Sequence, residues 1–190
     1  MQTSPIQEET FKAFMADYDS YCHYLHDPLY YDYISSLQET HLLGLYEDEA
    51  LVGVSMLSSR SVLKRYRMFT SHTGPLIQPF SNERLQFFLK EIDAYVKGKN
   101  GLKMIHSPYH IYQMRNAEGE VVESDMNNHE IVDIYLNQGY SHNGFTKQLV
   151  TEELLRHQAV LDISMSEEEL LKSMDKTTRY NTRTSEQMGV

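Results

Sequence analysis

The sequence predicts a mixed α/β fold of the α+β kind, a sheet flanked by helices. Two observations lead there. Apolar residues first recur at helical spacing, then alternate through a meander of three strands, then return to helix, strand, helix, strand. The strict strand–helix–strand alternation of a doubly wound sheet is not present. A hydrophobic share of 41% over 190 residues is enough for a packed core.

The elements follow in order. Ser4-Pro5 reads as a cap and first turn. Phe11, Phe14, Met15 and Tyr18 then form one apolar helix face. Asp27-Pro28 repeats the start signal, and Leu29, Tyr30, Tyr33, Ile34 and Leu37 continue with helical spacing. Residues 41–47 and 50–58 flank a short acidic turn and predict a β-hairpin, although the turn lacks an Asn-Gly pair. Residues 62–71 predict a third strand, broken by Gly74-Pro75.

Ser81 or Asn82 caps a long helix whose face carries Leu85, Phe88, Leu89, Ile92 and Val96; Gly98 and Gly101 end it. Residues 102–107 predict a buried strand that stops at Pro108. Residues 109–123 read as a loop with a turn at Glu118-Gly119. Asn127 or Asn128 caps a helix through Ile131, Ile134 and Tyr135, stopped by Gly139. Residues 158–163 predict a further strand. Ser166 and Glu169 form a capping box, and Asp175–Met188 is the last helix. Gly189 has the character of a left-handed helix stop. Val190 after it reads as the entry to a strand, so the chain is expected to be an N-terminal fragment.

Seventeen Lys and Arg stand against 27 Asp and Glu, a formal charge of −10, which argues against nonspecific nucleic-acid binding by the chain as a whole. Two stretches run against that balance. One holds Arg60, Lys64, Arg65 and Arg67; the other holds Lys172, Lys176, Arg179 and Arg183. Each is either a solvated face or a local holder of a phosphate-bearing substrate. Fourteen tyrosines supply ring area with a polar tip. The single cysteine, Cys22, excludes an intrachain disulfide and reads as a small apolar residue. With no apolar leader and no run long enough to span a bilayer, a cytoplasmic location is expected.

Chemistry-bearing motifs are sparse. His23 and His26 are three apart, and His106 and His110 four apart with Pro108 between them. There is no HExxH and no Cys/His cluster, so no metal is expected. No GxSxG elbow supports a serine nucleophile, and no glycine-rich loop follows a strand to cradle a nucleotide.

The segment VLDISMSEEELLKSMDKTTRYNTRTSEQMGV, residues 160–190, resembles the corresponding segment of the Fem/MurM (FemABX) family. These are aminoacyl-tRNA-dependent transferases that build peptidoglycan interpeptide bridges. The TSHTGPLI turn at 70–77, the KMIHSPYH strand end and the LNQGYSHNGFT helix end fit the family in order, so the resemblance covers nearly the whole chain.

The resemblance implies a GNAT-like mixed sheet. Residues 1–150 would form a first GNAT-like domain and 151–190 the beginning of a second, with half the cleft outside this chain. It implies transfer of alanine, serine or glycine from aminoacyl-tRNA to the stem-peptide lysine of lipid II or its UDP-linked precursor. Peripheral contact with the inner membrane surface is implied, with no cofactor beyond the tRNA co-substrate. The 190-residue piece would be inactive alone.

The implied substrate-binding residues are Tyr31, Ser35, Ser107, Tyr109, Arg179 and Arg183; the resemblance assigns no catalytic residue. Tyr31 stands where the family often has tryptophan. Ser35 stands near a family lysine, and Ser107 where an acidic residue often precedes the proline. Thr182, Thr184 and Ser185 replace the common Ile, Lys and Ala. The alternatives are a non-catalytic GNAT-like binding module, or an N-acetyltransferase using acetyl-CoA.

Overall fold

A computed structural model describes residues 1–20, 23–62, 64–116, 118–124, 127–144 and 164–189. The chain divides into two units, Met1–Thr146 and Lys147–Val190.

In the first unit a short strand, β1 (Gln2–Pro5), pairs antiparallel with β2 (Glu39–Glu47). The Ser4-Pro5 cap expected from sequence is therefore a strand end. Proline lacks the N–H that an inner strand must donate, and the sheet edge is where it is tolerated. The helix begins later, as α1 (Glu8–Ala16), and buries Phe11. A 3-10 turn (Tyr24–His26) leads into α2 (Pro28–Leu37). Here the start signal is the one expected: the Asp27 carboxylate accepts the Leu29 N–H at 2.7 Å, with Pro28 in the first turn. Asp27→Ala is expected to cost about 0.5–2 kcal/mol of stability. A urea titration checks it, and an unchanged midpoint would remove the cap from the account.

β2 and β3 (Ala50–Val62) form the expected hairpin. Its two-residue turn, Asp48 and Glu49, has φ of 47° and 69°. That double left-handed geometry matches the twist of the flanking strands even without an Asn-Gly pair. β3 runs on to Val62, so the third strand, β4 (Tyr66–Thr73), starts later than the apolar pattern predicts. A two-residue strand, β5 (Leu76–Ile77), returns to pair with Gly53 and Val54. A Cβ on Gly53 would lie 2.9 Å from the Leu76 carbonyl oxygen, so only glycine lets β5 come this close.

The long helix, α3 (Asn82–Gly98), is capped by Ser81, whose hydroxyl accepts the Arg84 N–H at 3.2 Å. β6 (Gly101–Pro108) then pairs parallel to β4. The sheet runs β1-β2-β3-β4-β6, so β6 lies outermost among the described strands. It is half-buried, where the sequence predicted a buried strand. The next helix, α4 (Glu130–Asn137), has no side-chain cap. Asn127 and Asn128, expected as caps, instead fasten the 109–124 loop. Asn127 Oδ1 accepts the Met114 N–H at 2.7 Å, and Asn128 Nδ2 donates to the Ile111 carbonyl at 3.1 Å.

Two apolar layers sandwich the sheet. One packs Leu43, Leu45, Leu57 and Phe69 under α3 and α4, against Phe88, Leu89, Ile92 and Ile131. The other packs Leu42, Val54 and Met56 against Phe11 of α1 and Ile34 of α2.

In the second unit, α5 (Glu167–Ser173) opens on the expected capping box, Ser166 with Glu169. The final helix, α6 (Lys176–Met188), is capped by Asp175 and stops at Gly189 with φ 75°. The strand expected at 158–163 lies outside the described residues.

Candidate functional site

Ligands of open sheets gather where parallel strands end at their carboxyl termini. Only β4 and β6 run parallel among the described strands, and both end on a turn rich in polar groups. Their ladder continues to Thr73 beside Pro108, and the Tyr109 N–H then donates to the Thr73 carbonyl at 3.2 Å. Ser107 sits opposite His72, one step from this rim.

The 3-10 turn packs onto the same rim. The His26 Nδ1 lies 2.6 Å from the Thr73 hydroxyl, both groups buried. Gly74 makes this approach possible, because a Cβ there would stand 3.0 Å from His26 Nε2 and 3.3 Å from Ser71 Oγ. His23 lies above, its ring 5.0 Å from that of Tyr109 and 4.3 Å from that of Tyr24. Its Nδ1 accepts the Leu25 N–H at 3.3 Å, which assigns the neutral ring's proton to Nε2. Desolvation lowers the pKa of His23, favouring that neutral form. The rim therefore offers hydroxyls and an imidazole N–H donor beside an aromatic wall.

The residues expected from sequence separate into three places. Ser107 and Tyr109 lie together at the rim, both half-buried. Tyr31 turns away from it toward α1, its ring 5.8 Å from Phe11, and packs into the apolar layer there. It is the neighbouring Tyr30 that continues the aromatic wall, 6.3 Å from Tyr24. Both rings also pack against the apolar layer of Phe11 and Ile34. Ser35 is exposed on α2 and donates back to the Asp32 carbonyl at 3.1 Å.

Arg179 and Arg183 belong to the second unit. Arg179 Nη1 donates to the Lys172 carbonyl at 2.9 Å, tying α6 to α5, and Arg183 is exposed. His23, His26, Thr73 and Tyr30 were not singled out as substrate contacts by sequence. The one available signal was the His23/His26 spacing, which suggests a metal pair rather than a rim.

The FemAB family profile matches residues 6–190. The aminoacyltransferase FemA of Staphylococcus aureus is 30% identical over 186 residues, covering 95% of this chain and 44% of the relative. That of Staphylococcus epidermidis is 32% identical over 154 residues, covering 80% of this chain and 37% of the relative. The chain thus spans less than half the length of these relatives. A crystal structure of FemX superposes with a TM-score of 0.69 at 16% identity, covering 96% of this chain and 43% of that one. The mixed sheet flanked by helices, expected from sequence, is the fold class observed. Identity at this level across nearly the whole chain places it in the FemAB family.

Proposed function

We propose that the protein containing this chain is an aminoacyltransferase of peptidoglycan bridge synthesis. It moves alanine, serine or glycine from aminoacyl-tRNA to the side-chain amine of a stem-peptide lysine on lipid II or its UDP-linked precursor. The observation that carries this is the 30% identity to FemA over 95% of the chain.

The chemistry asks little covalent work of the protein. The donor ester is already activated. A neutral amine attacks its carbonyl, the C–N bond forms, and the carbonyl electrons move onto oxygen. Collapse breaks the bond to the ribose oxygen, which takes up the proton lost by the amine. The protein must orient the amine, hold the developing oxyanion and keep water out. In this reading Ser107 and Tyr109 contact the acceptor at the rim, and His23 Nε2–H is available as a donor there. Tyr31 and Ser35 bear on the acceptor only through the placement of α2. Arg183 is the freer of the two α6 arginines to meet a phosphate.

Action on a lipid-linked acceptor would bring the protein to the cytoplasmic membrane surface as a peripheral visitor. No helix among the described residues is long and apolar enough to cross a membrane. The acetyl-CoA alternative has less support. The loop leading into α3 is Gln78-Pro79-Phe80-Ser81, with a proline where a pyrophosphate cradle needs an amide, and Glu83 follows in the first turn.

The test is transfer of radiolabelled amino acid from charged alanyl-, seryl- or glycyl-tRNA to lipid II. A chain of the relatives' length is expected to transfer, and the 190-residue chain alone is not. In the longer protein, Tyr109→Ala should lower kcat/KM by about 10- to 100-fold, as misplacing a reacting group does. Absence of product with all three donors would sink the reading.

A further inference from the structure

We propose that the face of the β4–β6 pair bearing Arg60 and Lys103 is an RNA-backbone surface leading to the rim at Ser107. The destination of the RNA rests on the reading above, that the donor is an aminoacyl-tRNA; the surface itself rests on register and charge.

The strand register places Arg60 beside Met68, and Met68 beside Lys103, in one row across β3, β4 and β6. Residues directly opposite on neighbouring strands share a face, and Arg60 Nη2 reaches the Met68 sulfur at 3.9 Å. Three adjacent strands put the roots of the two cations about 10 Å apart. Lys64 and Arg65 sit at the tip of the hairpin that joins β3 to β4. All four are exposed, and none forms an ion pair among the described residues. Arg67 differs: it faces the other side of the sheet, bonded to Glu39 and, at 3.0 Å, to Ser59. In a chain of net charge −10, four uncompensated cations at one end of one face need a reason.

The same face connects them to the rim. Along β6, Lys103, Ile105 and Ser107 alternate onto one side, so Ser107 lies about 13 Å from Lys103. Met68 and Thr70 of β4 lie beside that track, half-buried. Tyr66, on the same side of β4 as Met68, is 45% exposed. A line of spaced cations with an exposed ring set into it fits single-stranded RNA, whose phosphates take the charges and whose bases stack on rings. An anionic bilayer would also take the cations and the ring, but it gives the strand-long track to Ser107 no partner. An RNA with its aminoacyl end at Ser107 would lay its preceding phosphates along this strip.

The experiment is binding of uncharged, fluorescently labelled tRNA to the 190-residue chain across a salt series. The quadruple variant Arg60→Ala, Lys64→Ala, Arg65→Ala and Lys103→Ala is expected to lose about tenfold or more in affinity near 100 mM salt. Its log–log salt slope should be shallower by about two to three, since each lost phosphate contact removes somewhat less than one. Tyr66→Ala should weaken binding with the slope unchanged. Lys90→Ala, on α3, controls for net charge, and thermal melts of each variant control for folding. The paired single variants Arg60→Gln and Lys103→Gln repeat the test if the quadruple variant does not fold.

Unchanged tRNA binding in the variants overturns the surface. So does loss of binding to phosphatidylglycerol vesicles while tRNA binding persists. Because the tRNA carries no amino acid, the two readings fail separately. Binding through this strip by a full-length protein that transfers nothing would overturn the donor reading alone. Transfer by a protein whose tRNA affinity ignores the substitutions would overturn the surface alone.

Discussion

Phe69→Ala is expected to destabilise the protein by about 3–5 kcal/mol, the range found when a buried phenylalanine is cut to its Cβ. Phe69 is fully buried on β4, within the layer that packs the sheet against Phe88, Leu89 and Ile92 of α3. The ring of His41 lies 5.3 Å from it. Close packing on both sides leaves little room for collapse into the space, so the cavity cost adds to the lost burial. The loss is a large share of the roughly 5–15 kcal/mol that holds a domain together. β4 also carries Thr73 and leads directly into Gly74, so the rim should loosen with the core. Urea unfolding measures the effect, and a loss below about 1 kcal/mol would mean the layer re-packs freely.

Acid should unfold the protein well before its carboxylates alone would require. His106 packs against the rings of Tyr135 and Tyr140, with centroids 5.4 and 4.9 Å away, and its Nε2 is 3.0 Å from the Tyr140 hydroxyl. That hydroxyl donates to Asp93. Burial pushes the His106 imidazole down to about 3 and the His110 imidazole down to about 4. Between those values and about 6.5, the unfolded chain binds protons that the folded one refuses. Their contribution is fully present above pH about 6.5 and drains away as the pH falls. The slope is about 1.4 kcal/mol per pH unit for each histidine. Asp93, raised above its usual value by burial, takes its proton early in the folded state and softens the lower end of that limb. Unfolding free energies at pH 7.5, 6.5, 5.5 and 4.5 check this. His106→Gln should make the acid limb shallower by about one histidine's worth, and an unchanged limb would remove His106 from the account.

Signals confined to one element were legible in the sequence. The Asp27-Pro28 start, the Ser166/Glu169 box, the α3 face and the Gly189 stop are each set by neighbours within a turn or two. Signals with two readings went astray where distant partners decided between them. Ser4-Pro5 satisfies a helix start locally, but β2 offers residues 2–5 a ladder. Asn127 and Asn128 are good caps, but the 109–124 loop takes their side chains first. Near the rim, the end of β6 at Pro108 follows from the strand-ending proline. The approach of His26 to Thr73, across 47 positions, follows only from the fold. So does the row Arg60–Met68–Lys103, whose members come from three strands.

The turn at Gly74 also divides the rim by how freely it can vary over evolutionary time. At position 74 a single added carbon would crowd His26 and Ser71 at 3.0 and 3.3 Å, so a substitution there asks those side chains to give by a few tenths of an ångström. Position 107, paired with residue 72 on the neighbouring strand, is half-buried at a strand end and sets no such condition. A lineage can exchange the group at 107 while the turn beside it stays fixed. The backbone turn at position 74 and the side chain at position 107 can therefore change independently of one another.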